Sequence, residues 1–478
     1  MSSKVPGPES TVHSPRPPSP PGGKGGATDS GLRTGDCGLT RRRLLGGAAA
    51  ALGAAALPGA LRADEPHPLA ARPSHFRARA QRVILFFMNG GSSHVDSFDP
   101  KPRLRELHGQ VAQGQRKWVA SPWEAAPRGK SGLVMTELFR NLNGVADELC
   151  LLRSMKGDHN DHFEATLHMH TGSDGSARPG IGAWVSYGLG TANPNLPSHI
   201  VFAKEKPYAG SQTWDSNFLP AYHQGVRVEP GDEPIPNLKP YGPLAPVQDL
   251  ELKALRDLNR RHADERGRPS ELLARVLSFD TAASIQNMAP DLFDLGKESD
   301  DVLRLYGVER GDNRSFGWQC LMARRMAERG VRFVEVFDSN WDHHGGIKRG
   351  HETRAAAVDR PMAALVADLR QRGMLDETLV LFTTEFGRTP HAPGDGRDHH
   401  NKVFTCWMAG GGVKGGYAHG ASDETGSEPA EKPVHVHDFH ATVLHLLGLD
   451  HERLTFRYAG RDFRLTDVYG NVVRDILA

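Results

Sequence analysis

Short, unbroken apolar runs alternate with amphipathic stretches through most of this chain. Arg82-Val83-Ile84-Leu85-Phe86-Phe87-Met88 is apolar without interruption and is stopped by Asn89-Gly90-Gly91. A run of that length with no polar alternation predicts a central parallel strand, covered on both sides, that delivers a loop. Val331–Phe337, Thr378–Thr384 and Val403–Ala409 read the same way, the last stopped by Gly410-Gly411-Gly412. Ile200-Val201-Phe202 is a further apolar run after Pro197. Helical spacing appears over Asp161–His170, which ends at Thr171-Gly172, and over Gly180–Gly190, which carries Trp184, Val185 and Tyr187. Ala355–Arg372 is an amphipathic helix with Gly373 as its C-cap, and Asp438 caps a helix running to Leu447 and closed by Gly448. Leu133–Leu152 reads as a helix that becomes strand-like at its end. The strand–helix–strand order predicts an α/β fold, with a mainly parallel sheet between helices on both faces.

Two regions break this rhythm. Residues 204–245 are rich in Pro, Gly, Tyr and Asn and predict an irregular excursion over the sheet. Residues 246–330 are charged and amphipathic, and predict several helices forming a solvated cover layer. Together they read as an insertion, around 204–330, in a single domain over 80–478. Residues 1–39, rich in Pro, Ser and Gly, hold too little apolar surface to offset ordering entropy and predict disorder. Residues 40–63 open on Thr40-Arg41-Arg42-Arg43-Leu44-Leu45 and continue as an Ala/Gly/Leu stretch to Leu61. Arginines before a weakly apolar segment resemble a twin-arginine export signal, with small residues for cleavage near Ala60–Asp64. A membrane anchor is the other reading, but Ala and Gly make the segment only weakly apolar. No other run is long and apolar enough to span a bilayer.

Composition narrows the function classes. A formal net charge of +1 over 478 residues gives no sign of a nucleic-acid or acidic-membrane partner. Of the cysteines Cys37, Cys150, Cys320 and Cys406, the first precedes the signal segment. Three widely spaced thiols without a Cys-x-x-Cys pattern support neither a disulfide framework nor a thiolate zinc site.

Histidine is the outlier, at 24 residues. The chemistry concentrates in Gly90–Asp99, Trp341-Asp342-His343-His344, Thr384-Glu385-Phe386-Gly387-Arg388 and Gly396-Arg397-Asp398-His399-His400, each at or near a strand end. Ligands gathered from strand ends are how an α/β sheet builds a metal or anion site. Asp342, His344 and His399 or His400 form a donor set suited to Zn, Mn, Fe or a related divalent ion. Any one of these histidines taken alone reads as a hydrogen-bonded loop rather than as a ligand. Glu385 is placed to ligate or to act as a base, or else to pair with Arg388. Arg388 and Arg397 can fork an anionic oxygen pair, or pair internally with Asp395 or Asp398. Asp96 and Asp99 either ligate or cap a turn. The Asn89–Asp96 turn offers exposed amides but lacks the nucleotide-binding glycine patterns.

Several segments together resemble the family called domain of unknown function 1501, sulfatase-like proteins of the alkaline phosphatase superfamily. They are Asn89–Pro102, Arg178–Gly190, Thr384–Pro390, Gly396–His400 and Gly460–Asp467, and the resemblance spans residues 80–475. It implies a three-layer sandwich with a mixed sheet and metal ligands in a fixed chain order. Asn89 stands where the first Asp is expected. The Thr171-Gly172 turn is present, but the nucleophile position falls near His162, with no Ser, Thr or Cys there; Thr166 and Ser93 are the substitutes on offer. Asp342 and His344 match the next pair, Glu385-Phe386 stands where Asp-His is expected, and His399 or His400 matches the last His.

The resemblance therefore implies one intact metal site and a second partly lost one. The expected metal residues are Asp342, His344, His399, His400, Asn89 and Asp96, around a divalent ion of unspecified identity. The expected catalytic residues are Glu385, Arg388 and His162, acting on a small-molecule or glycan sulfate or phosphate ester in an exported protein. The alternative is a non-catalytic exported binding protein with a decayed site. The geometric expectation is that Asp342, His344 and at least one of His399 and His400 converge on one point, with Glu385 approaching the same cavity.

Overall fold

The run that opens the domain forms strand β1 (Arg82–Met88), buried from Val83 onward. Its side chains split by parity. Ile84, Phe86 and Met88 enter one apolar core, and Val83, Leu85 and Phe87 enter another. A strand covered on both faces needs no polar alternation, which accounts for its unbroken apolar sequence. The computed structural model describes residues 68–236, 245–267 and 270–478. The expected disordered extension over 1–39 and the signal segment over 40–63 lie outside the described residues. Residues Pro66–Ala478 form one compact unit.

Around β1 a nine-stranded sheet assembles. Its other strands are β2 (Leu149–Lys156), β3 (His199–Phe202), β4 (Val226–Val228), β5 (Phe333–Asp338), β6 (Thr378–Thr383), β7 (Phe404–Ala409), β8 (Tyr417–His419) and β9 (Val434–His435). The order is β8-β2-β7-β6-β1-β5-β3-β4, with β9 also on β2. β1 runs parallel to β5 and β6, and β3 joins β5 and β4 in parallel. β7 alone is antiparallel to its neighbours β6 and β2. The C-terminal ends of β1, β5, β6 and β2 therefore share one edge of the sheet, and β7 starts there.

Helices α1 (His162–Thr171), α2 (Ile181–Leu189) and α8 (Val436–Leu446) feed the core on one face. Helices α6 (Phe316–Glu328) and α7 (Ile347–Gln371) fill the other. This is a three-layer α/β sandwich with a mixed, largely parallel sheet. Helices α3 (Ala245–Glu265), α4 (Ser270–Leu292) and α5 (Asp300–Tyr306) precede α6.

Four local expectations change. Helix α6 is core rather than solvated cover, with every residue from Phe316 to Ala327 buried. Its arginines misled the reading, because Arg324 is neutralised inside by Glu298 (2.7 Å), Glu328 (2.6 Å) and Asp368 (3.2 Å). The segment Leu133–Leu152 is not a helix. It is a hairpin strand, Leu133–Thr136, then two short 3-10 turns and β2. Thr136 Oγ1 accepts the amide of Leu138, and Asp359 accepts the amides of Asn141 and Leu142, so side chains take the bonds an α-helix needs. Helix α8 is capped by His435, with Asp438 at its third position completing a capping box. The irregular excursion also contributes β4 to the sheet edge.

The two cores predict a large cost for truncation at their centre. Phe382 stacks on Trp407 with ring centroids 5.4 Å apart and meets Phe98 edge-on at 5.3 Å. Phe382→Ala is expected to lose about 3–5 kcal/mol in urea unfolding. A loss of about 0.5 kcal/mol, the size of a surface substitution, would contradict this packing.

Candidate functional site

The loops leaving β1, β5 and β6 are tied together before any ligand chemistry begins. The amide of Asn89 donates to Asp338 O (2.8 Å), and that of Trp341 to Asn89 O (3.2 Å). Gly90 has φ +121°, and a Cβ there would stand 2.6 Å from the backbone nitrogen of Asp342. Gly91 has φ +85°, and a Cβ there would stand 2.8 Å from the Phe386 ring. Only glycine fits at either position. The amides of this turn are spent internally rather than exposed. Gly90 N donates to Glu385 Oε1 (2.7 Å), Ser92 N to Thr384 Oγ1 (3.1 Å) and Ser93 N to His351 Nε2 (3.2 Å).

Above this floor sits the carboxylate of Asp342, four residues beyond β5. His344 Nε2 lies 3.0 Å and His399 Nε2 3.3 Å from its Oδ1, and those two nitrogens are 3.1 Å apart. His162, the first residue of α1, brings Nε2 to 3.3 Å from Asp342 Oδ2 without forming a hydrogen bond. One donor atom each from His162, Asp342 and His399 fall within 4.8 Å of one another.

All three imidazoles are oriented in the same sense. His162 Nδ1 donates to Glu385 Oε1 (2.8 Å), His399 Nδ1 to Asn160 O (2.7 Å) and His344 Nδ1 to Asp398 Oδ1 (2.9 Å). With Nδ1 donating, each neutral ring turns an Nε2 lone pair toward Asp342. Lone pairs converging on a carboxylate repel unless a proton or a cation lies among them. Oxygen acceptors on Nδ1 are also how metal-binding histidines are held. The donors and their 3.0–3.3 Å separations therefore fit a divalent cation, whose bonds to such atoms run about 2.0–2.2 Å.

The electrostatics follow from this crowding. Burial opposes charge on His162, but Asp342 and Glu385 overcome it and raise the imidazole to about 9, so at neutral pH the Nε2 lone pair carries a proton that a bound cation would have to displace. Burial likewise opposes ionisation of Asp342, yet His162, His399 and Arg388 hold it well below the usual carboxylate range. The site reaches solvent, since the His344 side chain is half exposed.

The expected site residues thus separate into groups. Asp342, His344, His399, His162 and Glu385 stand together. Arg388 lies beneath them, fully buried, and faces the Asp342 carboxylate rather than an external anion. Its Nε donates to Gly91 O (2.9 Å), Nη1 to Arg397 O (3.0 Å) and Nη2 to Gly90 O and Asp342 Oδ1 (2.5 Å). All three of its nitrogens are engaged, so it positions Asp342 and the glycine turn. Asp96 is not with the cluster. It grips buried Arg397 through two bonds, Nε to Oδ2 at 2.6 Å and Nη2 to Oδ1 at 2.9 Å. That pairing replaces both the anion fork and the expected partners Asp395 and Asp398. His400 also stands apart: in the short hairpin of Gly387–Arg388 with His399–His400, side chains alternate in direction. Its Nε2 donates to Ser427 O (2.8 Å), and burial pushes it down to about 3.

Asn89 Oδ1 faces the backbone amide of Tyr208 at 3.5 Å rather than the donor cluster. Asp99 pairs with Lys101 at 2.9 Å. Ser93 Oγ is bonded to Asp96, and Thr166 is wholly buried, so neither hydroxyl is presented for attack. Sequence reasoning missed Tyr208, whose ring stacks on His162 at 3.9 Å, and the packing role of Phe386, 4.5 Å from the His399 ring. Tyr208 lies in the aperiodic excursion, where no spacing signals its position.

Comparison with known proteins adds a family. The one described as protein of unknown function (DUF1501) matches residues 80–477. No curated protein matches the chain. Similar solved structures include Ps i-CgsB in complex with k-i-k-neocarrahexaose, at 11% identity and a TM-score of 0.36, covering 78% of this chain and 72% of that one. The PsFucS1 sulfatase from Pseudoalteromonas sp. is 13% identical, with a TM-score of 0.31 over 78% and 68% of the two chains. The phosphonate monoester hydrolase SpPMH from Silicibacter pomeroyi is 11% identical, with a TM-score of 0.35 over 77% and 73%. Likenesses of this size assign neither substrate nor reaction.

The Asp96–Arg397 pair yields a stability prediction separate from the ligand cluster. Burial alone would raise Asp96, but the charge and hydrogen bonds of Arg397 hold it below the ordinary carboxylate range. Its stabilisation is therefore complete above the unfolded-chain value of about 3.9 and is lost as pH falls through the lower folded-state value. Asp96→Ala strands a buried guanidinium and is expected to cost about 3–5 kcal/mol at neutral pH, with a flatter loss of stability in acid. Unchanged urea unfolding at both pH values would contradict the pair's role.

Proposed function

This chain belongs to the DUF1501 family, and we propose that its site is that of an exported, metal-dependent hydrolase of sulfate or phosphate esters. The observation that carries the reading is the common orientation of three imidazoles. Glu385, Asn160 and Asp398 each hold an Nδ1, so three Nε2 atoms face one carboxylate. His162, Asp342 and His399 hold the divalent cation, with His344 beside them at the solvent side. The mixed nitrogen and oxygen donors suit Zn, Mn, Fe or a related ion. When bound, such a cation supplies Lewis-acid polarisation of a sulfuryl or phosphoryl oxygen.

The protein's own groups then divide the remaining work. Glu385 is buried and bonded to Gly90 N and His162 Nδ1, so it acts through His162 rather than on substrate. His344 is the exposed member and moves a proton at Nε2, with Asp398 fixing its ring. Arg388 keeps Asp342 ionised and in place. Small-molecule and glycan esters both fit a site open on the His344 side. Export rests on Arg41-Arg42-Arg43 ahead of the Ala/Gly/Leu stretch. Among the described residues no helix is long and apolar enough to cross a membrane.

A second reading has its own support. Tyr208 covers one face of His162, Phe386 packs at 4.9 Å from the same ring, and no Ser, Thr or Cys occupies the His162 position. A non-catalytic exported binding protein that retains the cation site would look the same.

Turnover by the parent protein, read together with Glu385→Gln and His399→Ala, decides between them. Glu385→Gln preserves shape but weakens the acceptor on His162 Nδ1, and is expected to lower cation affinity and turnover of aryl sulfates or phosphates roughly 10–100-fold. His399→Ala is expected to abolish turnover. Cation binding that falls in both variants, with no turnover in the parent protein across several divalent ions, would sink the hydrolase and leave the binding protein. Cation binding unchanged in both would sink the metal site itself.

A further inference from the structure

Helix α1 carries a second group of donors farther along its length. His168 lies six residues after His162, about 9 Å along the helix axis. Its Nδ1 stands 3.8 Å from Asp158 Oδ2, too long for a hydrogen bond. His435 at the start of α8 brings Nε2 to 3.1 Å from the same oxygen and 3.2 Å from Oδ1. One donor atom each from Asp158, His168 and His435 lie within 4.8 Å of one another.

A fourth imidazole adjoins them. His437 is 5% exposed and its Nδ1 has no hydrogen-bond partner. Its ring centroid is 5.1 Å from that of His168 and 5.0 Å from that of His435. Three histidines around one carboxylate, with a buried nitrogen left over, are poorly explained as packing. A cavity of about 800 Å³ lined by Asp158, Lys156, His435, His437 and Tyr469 gives solvent and ions a way in.

We propose that Asp158, His168 and His435 form a second divalent-cation site, distinct from the Asp342 cluster, that fastens helix α1 to the exit of β2 and the start of α8. Two imidazoles and a carboxylate suit a borderline cation such as Zn²⁺, with water or His437 completing the shell. Binding at His435 Nε2 places the ring proton on Nδ1. That gives up the long 3.3 Å contact from His437 N, while Asp438 Oδ2 still accepts the amide of His435 at 3.0 Å. The consequence is positional. His162 is the first residue of the helix that this cation would anchor, so occupancy here steadies one side of the Asp342 cluster.

The test is the metal content of the full chain after Zn²⁺ loading and gel filtration. Asp158→Asn/His435→Gln removes two donors whose side chains are 55% and 21% exposed, so the core stays closed. This variant is expected to hold one Zn²⁺ fewer per chain than the parent and to gain less in melting temperature on loading. His162→Ala/His399→Ala serves as the reference for the first site and is expected to lose a different equivalent, so failures of the two sites are told apart. Equal Zn²⁺ content in the parent and Asp158→Asn/His435→Gln, with both folded by circular dichroism, overturns the second site whatever the first one does. His168→Gln, which alters a donor on the helix itself, is expected to lose the same equivalent as Asp158→Asn/His435→Gln, and its retention of that equivalent would also overturn the proposal.

Discussion

The carboxylate of Asp342 must stay ionised in a half-buried loop four residues beyond a buried strand, and the surrounding architecture answers that requirement. Arg388 supplies a fixed positive charge from below, at 2.5 Å. Three imidazoles approach from the other sides, each held through its far nitrogen. An isolated charge at this depth would be costly. Here it becomes the point on which segments from residues 90, 162, 344, 388 and 399 converge, and the glycine pair Gly90-Gly91 exists because any side chain there would collide with Trp341, Asp342 and Phe386.

The sheet makes that convergence geometrically simple. Because β1, β5 and β6 are parallel neighbours, their C-terminal ends emerge side by side. The reversed strand β7 means that the chain leaving β6 must cross the same edge before turning back, and this crossing carries both Glu385 and His399. Below the site, Asp96–Arg397 and Arg388, each arginine making four hydrogen bonds, form a rigid polar floor. A stiff floor and a half-exposed His344 divide the site into a part that holds geometry and a part that meets solvent.

Much of this was legible in the chain, and the reasons are specific. Uninterrupted apolar runs such as Arg82–Met88 carry a strong signal because both faces are buried. Asp342, His344, His399 and Glu385 stood out because they directly follow or adjoin such runs. What could not be read was the direction of side chains within a short hairpin. Neighbours His399 and His400 point to opposite sides, and nothing in their shared sequence context says which. Charge also misled. Arg388, Arg397 and Arg324 look like surface or anion-binding groups in sequence, yet each is buried and paired with carboxylates or carbonyls distant along the chain. Tyr208 and the second histidine group come from irregular segments or helix faces whose partners only the tertiary fold supplies.

The central claim is that the converging Nε2 atoms of His162 and His399, together with Asp342, are metal donors rather than a purely protonic network. Anomalous diffraction from crystals loaded with Zn²⁺ tests it most directly. The account predicts a peak about 2.0–2.2 Å from His162 Nε2, His399 Nε2 and an Asp342 oxygen. Crystals at neutral pH and saturating Zn²⁺ with no anomalous peak at that point, and with all three side chains unmoved, would contradict it.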